Sequence, residues 1–129
     1  MLDHARTAYP KECCGILVGA ENGNGRVATM AVASPNVYQG DQKDRFDLDP
    51  RAFLAADKMA RAQGLQVLGF FHSHPDCDAY FSRTDLENSW PSYSNVVMSI
   101  KDGRFSHAAC FTVNEERSQA TPEELTLPE

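Results

Sequence analysis

The chain has 129 residues, of which 42% are hydrophobic and 23% charged, enough for one core without disulfide or metal staples, so residues 1–129 are read as a single domain. Twelve Lys and Arg against eighteen Asp and Glu leave a net charge of −6, and no basic cluster is present to track a phosphate backbone, which argues against nucleic acid as a partner. No apolar run approaches the ~20 residues that span a bilayer, and the start lacks the basic-then-apolar pattern of a signal peptide, so no membrane partner and a cytoplasmic location are expected. In that setting Cys13, Cys14, Cys77 and Cys110 read as reduced thiols; Cys14 and Cys110 lie in apolar runs and are expected to be buried, while Cys77 stays open.

In chain order, Met1 to Ala8 reads as the last turns of a helix stopped by Pro10, because proline bars helical continuation and pushes its predecessor toward extended geometry. Gly15-Ile16-Leu17-Val18-Gly19 is a branched apolar run between glycines, the mark of a buried strand, and Glu21 to Gly25 is turn chemistry. Arg26 to Ala33 is strand-like and Ser34-Pro35-Asn36 breaks it; after the polar stretch Gln39 to Asp44, Arg45-Phe46-Asp47-Leu48 alternates with period two, which predicts a hairpin or meander. Asp49-Pro50 is a helix start, an oxygen-bearing cap before a proline at the first helical position, and Gly64 is the stop. Between them Phe53, Ala56, Met59, Ala60 and Gln63 share a face.

Leu65 to Phe71 is a second apolar run that leads into His72-Ser73-His74-Pro75, placing the histidines at the downstream end of a central strand. Ser82 to Trp90 is a short helix bounded by Pro91. Asn95 to Ile100 and Phe105 to Val113 read as strands joined by an Asp-Gly turn at Lys101 to Arg104, and Leu125 to Leu127 as a short final strand. The order describes an α+β fold, a curved mixed sheet flanked by helices, with no repeat, low-complexity tract or linker.

His72 and His74 are two residues apart, and in a strand this puts both side chains on one face, about 7 Å apart along the chain, so two imidazoles can share one ion. A catalytic zinc takes three protein ligands and leaves a fourth position to water. Asp85 is the natural third, presented from the first turn of the helix that follows the loop after Pro75. Glu12 faces the open position if the first buried strand neighbours the histidine strand. Each residue also has a plainer reading: Ser82 and Asp85 have the spacing of a capping box, and Glu12 alone is a surface charge.

The run His72-Ser73-His74-Pro75, then Ser82, then Asp85 resembles the signature of the JAMM (MPN-plus) zinc metallopeptidases: His, any residue, His, seven residues, Ser, two residues, Asp. Tyr9-Pro10-Lys11-Glu12-Cys13-Cys14-Gly15-Ile16-Leu17-Val18-Gly19 resembles the segment that carries that family's glutamate, and Arg45 to Pro50 resembles the run before its second helix. The likeness extends from about Met1 to the strand at Phe105 to Val113. It implies the cytidine-deaminase-like JAMM/MPN architecture and a peptidase with one Zn2+ per chain. His72, His74 and Asp85 would then be ligands, Glu12 would handle the proton of the attacking water, and Ser82 would donate to the oxyanion.

The resemblance further implies cleavage of amide or isopeptide bonds after the C-terminal tail of ubiquitin or a ubiquitin-like protein. The short chain, without obvious insertions, looks like the compact bacterial or archaeal branch, whose expected partner is a small β-grasp sulfur carrier ending in Gly-Gly that loses a cysteine or a short C-terminal extension. A homodimer stays open. Relatives usually carry a strand and a longer helix ahead of the position of Met1, so the chain is expected to start late, which weakens the edge around Leu2 and Ala5 rather than the metal site.

Three rivals are weighed against this reading. A non-catalytic MPN scaffold lacks the ligands, which are present here. A His-x-His phosphoesterase recruits more histidines and acids, and only His4 and His107 remain. A closed structural zinc site built on His72, His74 and Cys77 needs further cysteines at zinc-knuckle spacing, which the chain does not offer.

Overall fold

The computed structural model describes residues 1–22, 25–42, 45–116 and 118–123, with the backbone alone for Leu2, Asp3, Asn22, Thr84, Glu87 and Asn88. Helix α1 (Leu2–Ala8) precedes β1 (Cys14–Asn22) and β2 (Gly25–Ser34); then come α2 (Pro50–Ala62), β3 (Gln66–Pro75), α3 (Arg83–Asn88), β4 (Ser94–Lys101), β5 (Arg104–Val113) and β6 (Ala120–Glu123). The strands form one sheet in the order β2-β1-β3-β4-β5-β6. All neighbours run antiparallel except β3 and β4, which are parallel and joined through α3, so the sheet is mixed and the fold α+β. Bulges at Val18/Gly19 on the β1–β2 pair and at Ser99/Ile100 on the β4–β5 pair bend the strands locally.

Each face of the sheet has its own core. Ala5 of α1 packs with Cys13, Leu17, Phe71, Val96, Met98, Ile100 and Cys110. On the other face Ile16 and Val18 meet Ala56 and Ala60 of α2, with Phe53, Leu48 and Phe70 alongside. Strand alternation therefore sends Phe71 and Ser73 to the α1 face, and Phe70, His72 and His74 to the α2 face. Gly15 has no side chain because the Phe71 ring lies where a Cβ would stand.

Local signals account for most boundaries. The Asp49 side chain accepts from Arg51 N at the start of α2, with Pro50 in the first turn, and Gly64 leaves the helix at φ +72°. Asp102 (φ 52°) and Gly103 (φ 74°) both occupy the left-handed region between paired Lys101 and Arg104, the conformation that suits the right-handed twist of a tight hairpin. Cys14 and Cys110 are buried free thiols, both pushed up to about 12 by loss of solvation.

Two expectations about the helices need adjustment. Gln63 is exposed and caps α2 instead of sharing its buried face. The helix expected from Ser82 to Trp90 is shorter, with Ser82 and Ser89 as its caps. Leu125 to Leu127 lies outside the described residues, as do parts of the Glu21 to Gly25 and Gln39 to Asp44 stretches.

The largest change concerns residues 45–48, which form no strand and pair only through the isolated bridge Asn36–Leu48, where Val37 N donates to Asp47 O (3.0 Å). A side chain has taken the place of a partner strand: Asn36 Oδ1 accepts from Asp47 N (3.0 Å) and Tyr38 N (3.1 Å), and Asn36 Nδ2 donates to Arg45 O (3.1 Å). The period-two pattern is nonetheless meaningful, because Leu48 packs beside the α2-face core and Phe46 stacks on His72 with ring centroids 4.6 Å apart.

Candidate active site

β1 and β3 are adjacent, with Cys14 opposite His72, so Glu12 enters the sheet beside the histidines. Its backbone is tied at both ends: Glu12 N donates to Gln42 O (2.7 Å) and Asn36 Nδ2 donates to Glu12 O (3.1 Å). The Glu12 side chain turns inward, and the residue is 5% exposed, which departs from the surface-charge reading. One carboxylate oxygen of Glu12 and one ring nitrogen from each of His72 and His74 all lie within 4.8 Å of one another, a group able to hold a metal ion.

Asp85 completes the cluster from α3. Its Oδ2 lies 3.1 Å from His72 Nε2 and 3.2 Å from His74 Nε2, while the two ring nitrogens are 3.2 Å apart. Nitrogen or oxygen ligands about 2.05 Å from a tetrahedral zinc are roughly 3.3 Å from one another, so this buried triangle has the edge length that such an ion requires. The donor set fits the group.

The capping box expected at Ser82 and Asp85 is also present: Asp85 N donates to Ser82 Oγ (3.0 Å) and Ser82 N donates to Asp85 Oδ2 (3.0 Å). Cap and cluster thus use the same carboxylate oxygen, and the structural bond aims it. Burial alone would raise the Asp85 pKa, but the charge of His72 and hydrogen bonds from His72, His74 and the Ser82 backbone hold it well below the usual carboxylate range. For His74, burial opposes the charged form, and the Asp85 carboxylate beside it outweighs that and raises its pKa.

Further residues, not singled out in the sequence, hold the site. His74 Nδ1 faces Asp78 O at 3.1 Å, leaving Nε2 toward Asp85. Phe46 covers His72, and Tyr80 stands edge-on to His74 with centroids 4.9 Å apart. Neither Asn36 nor Asp78 carries a recognisable motif, since both act through backbone groups or on them. Cys77 is exposed. From Asp85 a cleft of ≈ 730 Å³ runs between Phe46, Leu48, Phe53 and Phe70 toward Trp90 and Tyr93.

Comparison with known proteins places this arrangement. A JAB1/MPN domain protein from Archaeoglobus fulgidus matches with a TM-score of 0.59 at 19% identity, covering 99% of this chain and 90% of that one, which defines the fold as that of a JAB1/MPN domain. The chain belongs to the prokaryotic homologs of the JAB domain, whose family model matches residues 1–120. It is 34% identical over 111 residues to the desampylase of Haloferax volcanii, covering 82% of this chain and 77% of that protein. It is 33% identical over 108 residues to the CysO-cysteine peptidase of Mycobacterium tuberculosis, covering 79% and 68%. A protein of Desulfitobacterium hafniense with a solution structure superposes with a TM-score of 0.85 at 34% identity, covering 100% of this chain and 86% of that one. Within this family the chain is a hydrolase of peptide or isopeptide bonds. Among the described residues no helix is long and apolar enough to cross a membrane.

Proposed function

We propose that the chain is a zinc-dependent peptidase, a single cytoplasmic domain that cleaves the amide bond following the C-terminal tail of a ubiquitin-like sulfur carrier and releases cysteine or a short extension. The observation that carries this reading is the buried triangle of His72 Nε2, His74 Nε2 and Asp85 Oδ2, with edges of 3.1 to 3.2 Å, and Glu12 beside it. His72, His74 and Asp85 hold the ion. Zinc bound there would act as a Lewis acid, making a nucleophile of water available at neutral pH.

The chain's own residues do the rest. The Glu12 carboxylate accepts the proton of the attacking water and passes it to the leaving amine, which needs a base and then an acid at one place. The Ser82 hydroxyl accepts from Asp85 N and still carries its own hydrogen; it donates to the oxyanion as the carbonyl becomes tetrahedral. The cleft beside residues 45–48 takes the tail in extended form, where backbone contacts give affinity with little demand on side chains. Support for the substrate class comes from the relatives named desampylase and CysO-cysteine peptidase.

Zinc analysis combined with mass-spectrometric cleavage of a Gly-Gly carrier extended by cysteine tests the whole reading. Wild type and Glu12→Gln should both carry one zinc, and only wild type should release cysteine, with Glu12→Gln slower by about 10²–10⁴-fold. Full turnover in Glu12→Gln, or retained zinc in His74→Ala, would overturn these roles.

A further inference from the structure

His107 has no part in the machinery above, yet it stands in line with it. His74 on β3 faces Ser99 on β4, and Ser99 faces His107 on β5, so the three form one row across the sheet. The loop that leaves β3 folds back over this row, and the row grips three successive residues of it. Ser99 Oγ donates to Cys77 O (2.5 Å), His74 Nδ1 meets Asp78 O (3.1 Å), and Ala79 N donates to His107 Nε2 (2.9 Å).

The last two contacts fall on one peptide group. The Asp78 carbonyl and the Ala79 N–H share a single plane, so His107 and His74 hold opposite ends of the same rigid unit. Accepting from Ala79 requires a lone pair on His107 Nε2, which leaves the hydrogen on Nδ1, where Ser106 Oγ lies at 3.0 Å. Asp78 O accepts in turn from His74 Nδ1, and this bond turns the ring so that Nε2 faces Asp85. A hydrogen bond at one end of a peptide also polarises the other, strengthening the acceptor. Tyr80 N donates to the same carbonyl (2.9 Å), and Lys101 Nζ holds the Asp78 side chain (2.6 Å), but among the described residues His107 is the acceptor for the Ala79 N–H, and Ala79 is 8% exposed.

We infer that His107 is a positioning residue for His74: it anchors the Asp78–Ala79 peptide, which in turn orients the imidazole. This rests on the reading of His74 as a metal ligand. The His107 side chain is 45% exposed, so substitution there is compatible with folding.

The experiment compares His107→Leu, which cannot accept, with His107→Gln, whose amide oxygen can. Zinc affinity is measured by competition with a chelating dye. His107→Leu should bind zinc about 10-fold more weakly, while His107→Gln should stay close to wild type. Unchanged affinity in His107→Leu, or equal losses in both variants, would overturn the inference, the latter because packing and not acceptance would then be at work. Zinc retained at wild-type affinity in His74→Ala would instead remove the site reading itself, a result distinguishable because it is read on a different variant.

Discussion

The two faces of the sheet are built from the same strands and end differently. On the α1 face, Leu17, Phe71, Met98 and Ile100 continue one core. On the other, α2 covers Ile16, Val18 and Phe70 and the apolar character then stops: two residues past Phe70 stands His72, and two further His74. The covered half behaves as a core, and the half beyond the helix, roofed by the Asp78 loop, α3 and Phe46, collects Glu12, His72, His74 and Asp85. A continuous face can be stabilised by burial alone, whereas an interrupted one must satisfy every polar group by design, which is why caps and loop carbonyls crowd the second half.

The contrast breaks most sharply at His72. Replacing it with Ala should abolish zinc binding and reduce carrier cleavage to background, as followed by metal analysis and mass spectrometry. The adjacent Phe71→Ala should do the reverse: the ring is 1% exposed, and its loss should cost about 3–5 kcal/mol in denaturant unfolding while zinc stoichiometry survives in the folded fraction. A Phe71 variant that unfolds normally but loses zinc would erase the distinction between the faces.

A smaller effect sits at the margin of the covered half. Asp49→Ala removes the cap on α2 and should cost ~1 kcal/mol, measured by the same unfolding curves, with catalysis unchanged under conditions where the protein is folded. The smallest lies at the end of β3, where Tyr9 donates to both oxygens of Asp76 (2.9 and 2.7 Å). That hydrogen bond raises the phenol above its ordinary value of 10.0 and lowers Asp76, so while Asp76 is ionised its contribution is complete up to about pH 10 and fades as pH rises through the higher folded value of the phenol. Tyr9→Phe should therefore unfold slightly earlier than wild type at neutral pH, and the two curves should converge in strong alkali.

Much of the fold could be read along the chain because its signals are local. Asp49-Pro50 and Gly64 bracket α2, Asp102-Gly103 turns β4 into β5, and the apolar runs at Ile16 and Phe70 become central strands. The segment 45–48 shows where such reading stops: alternation reports which side chains face the sheet but not who satisfies the backbone, and here Asn36 does. Glu12 shows the same limit, since an acid before a strand looks like surface until the neighbouring strand is known.

Residue types and spacing by themselves determined that two imidazoles share a face and that a carboxylate waits at the start of the next helix, because strand period and capping chemistry are properties of a few consecutive residues. Only the tertiary structure decided that β1 lies against β3, that one aspartate oxygen serves both cap and cluster, and that His107 reaches His74 through a peptide. Those relations join residues up to some 60 positions apart in the chain, and their geometry comes from strand order and register, which no local pattern encodes.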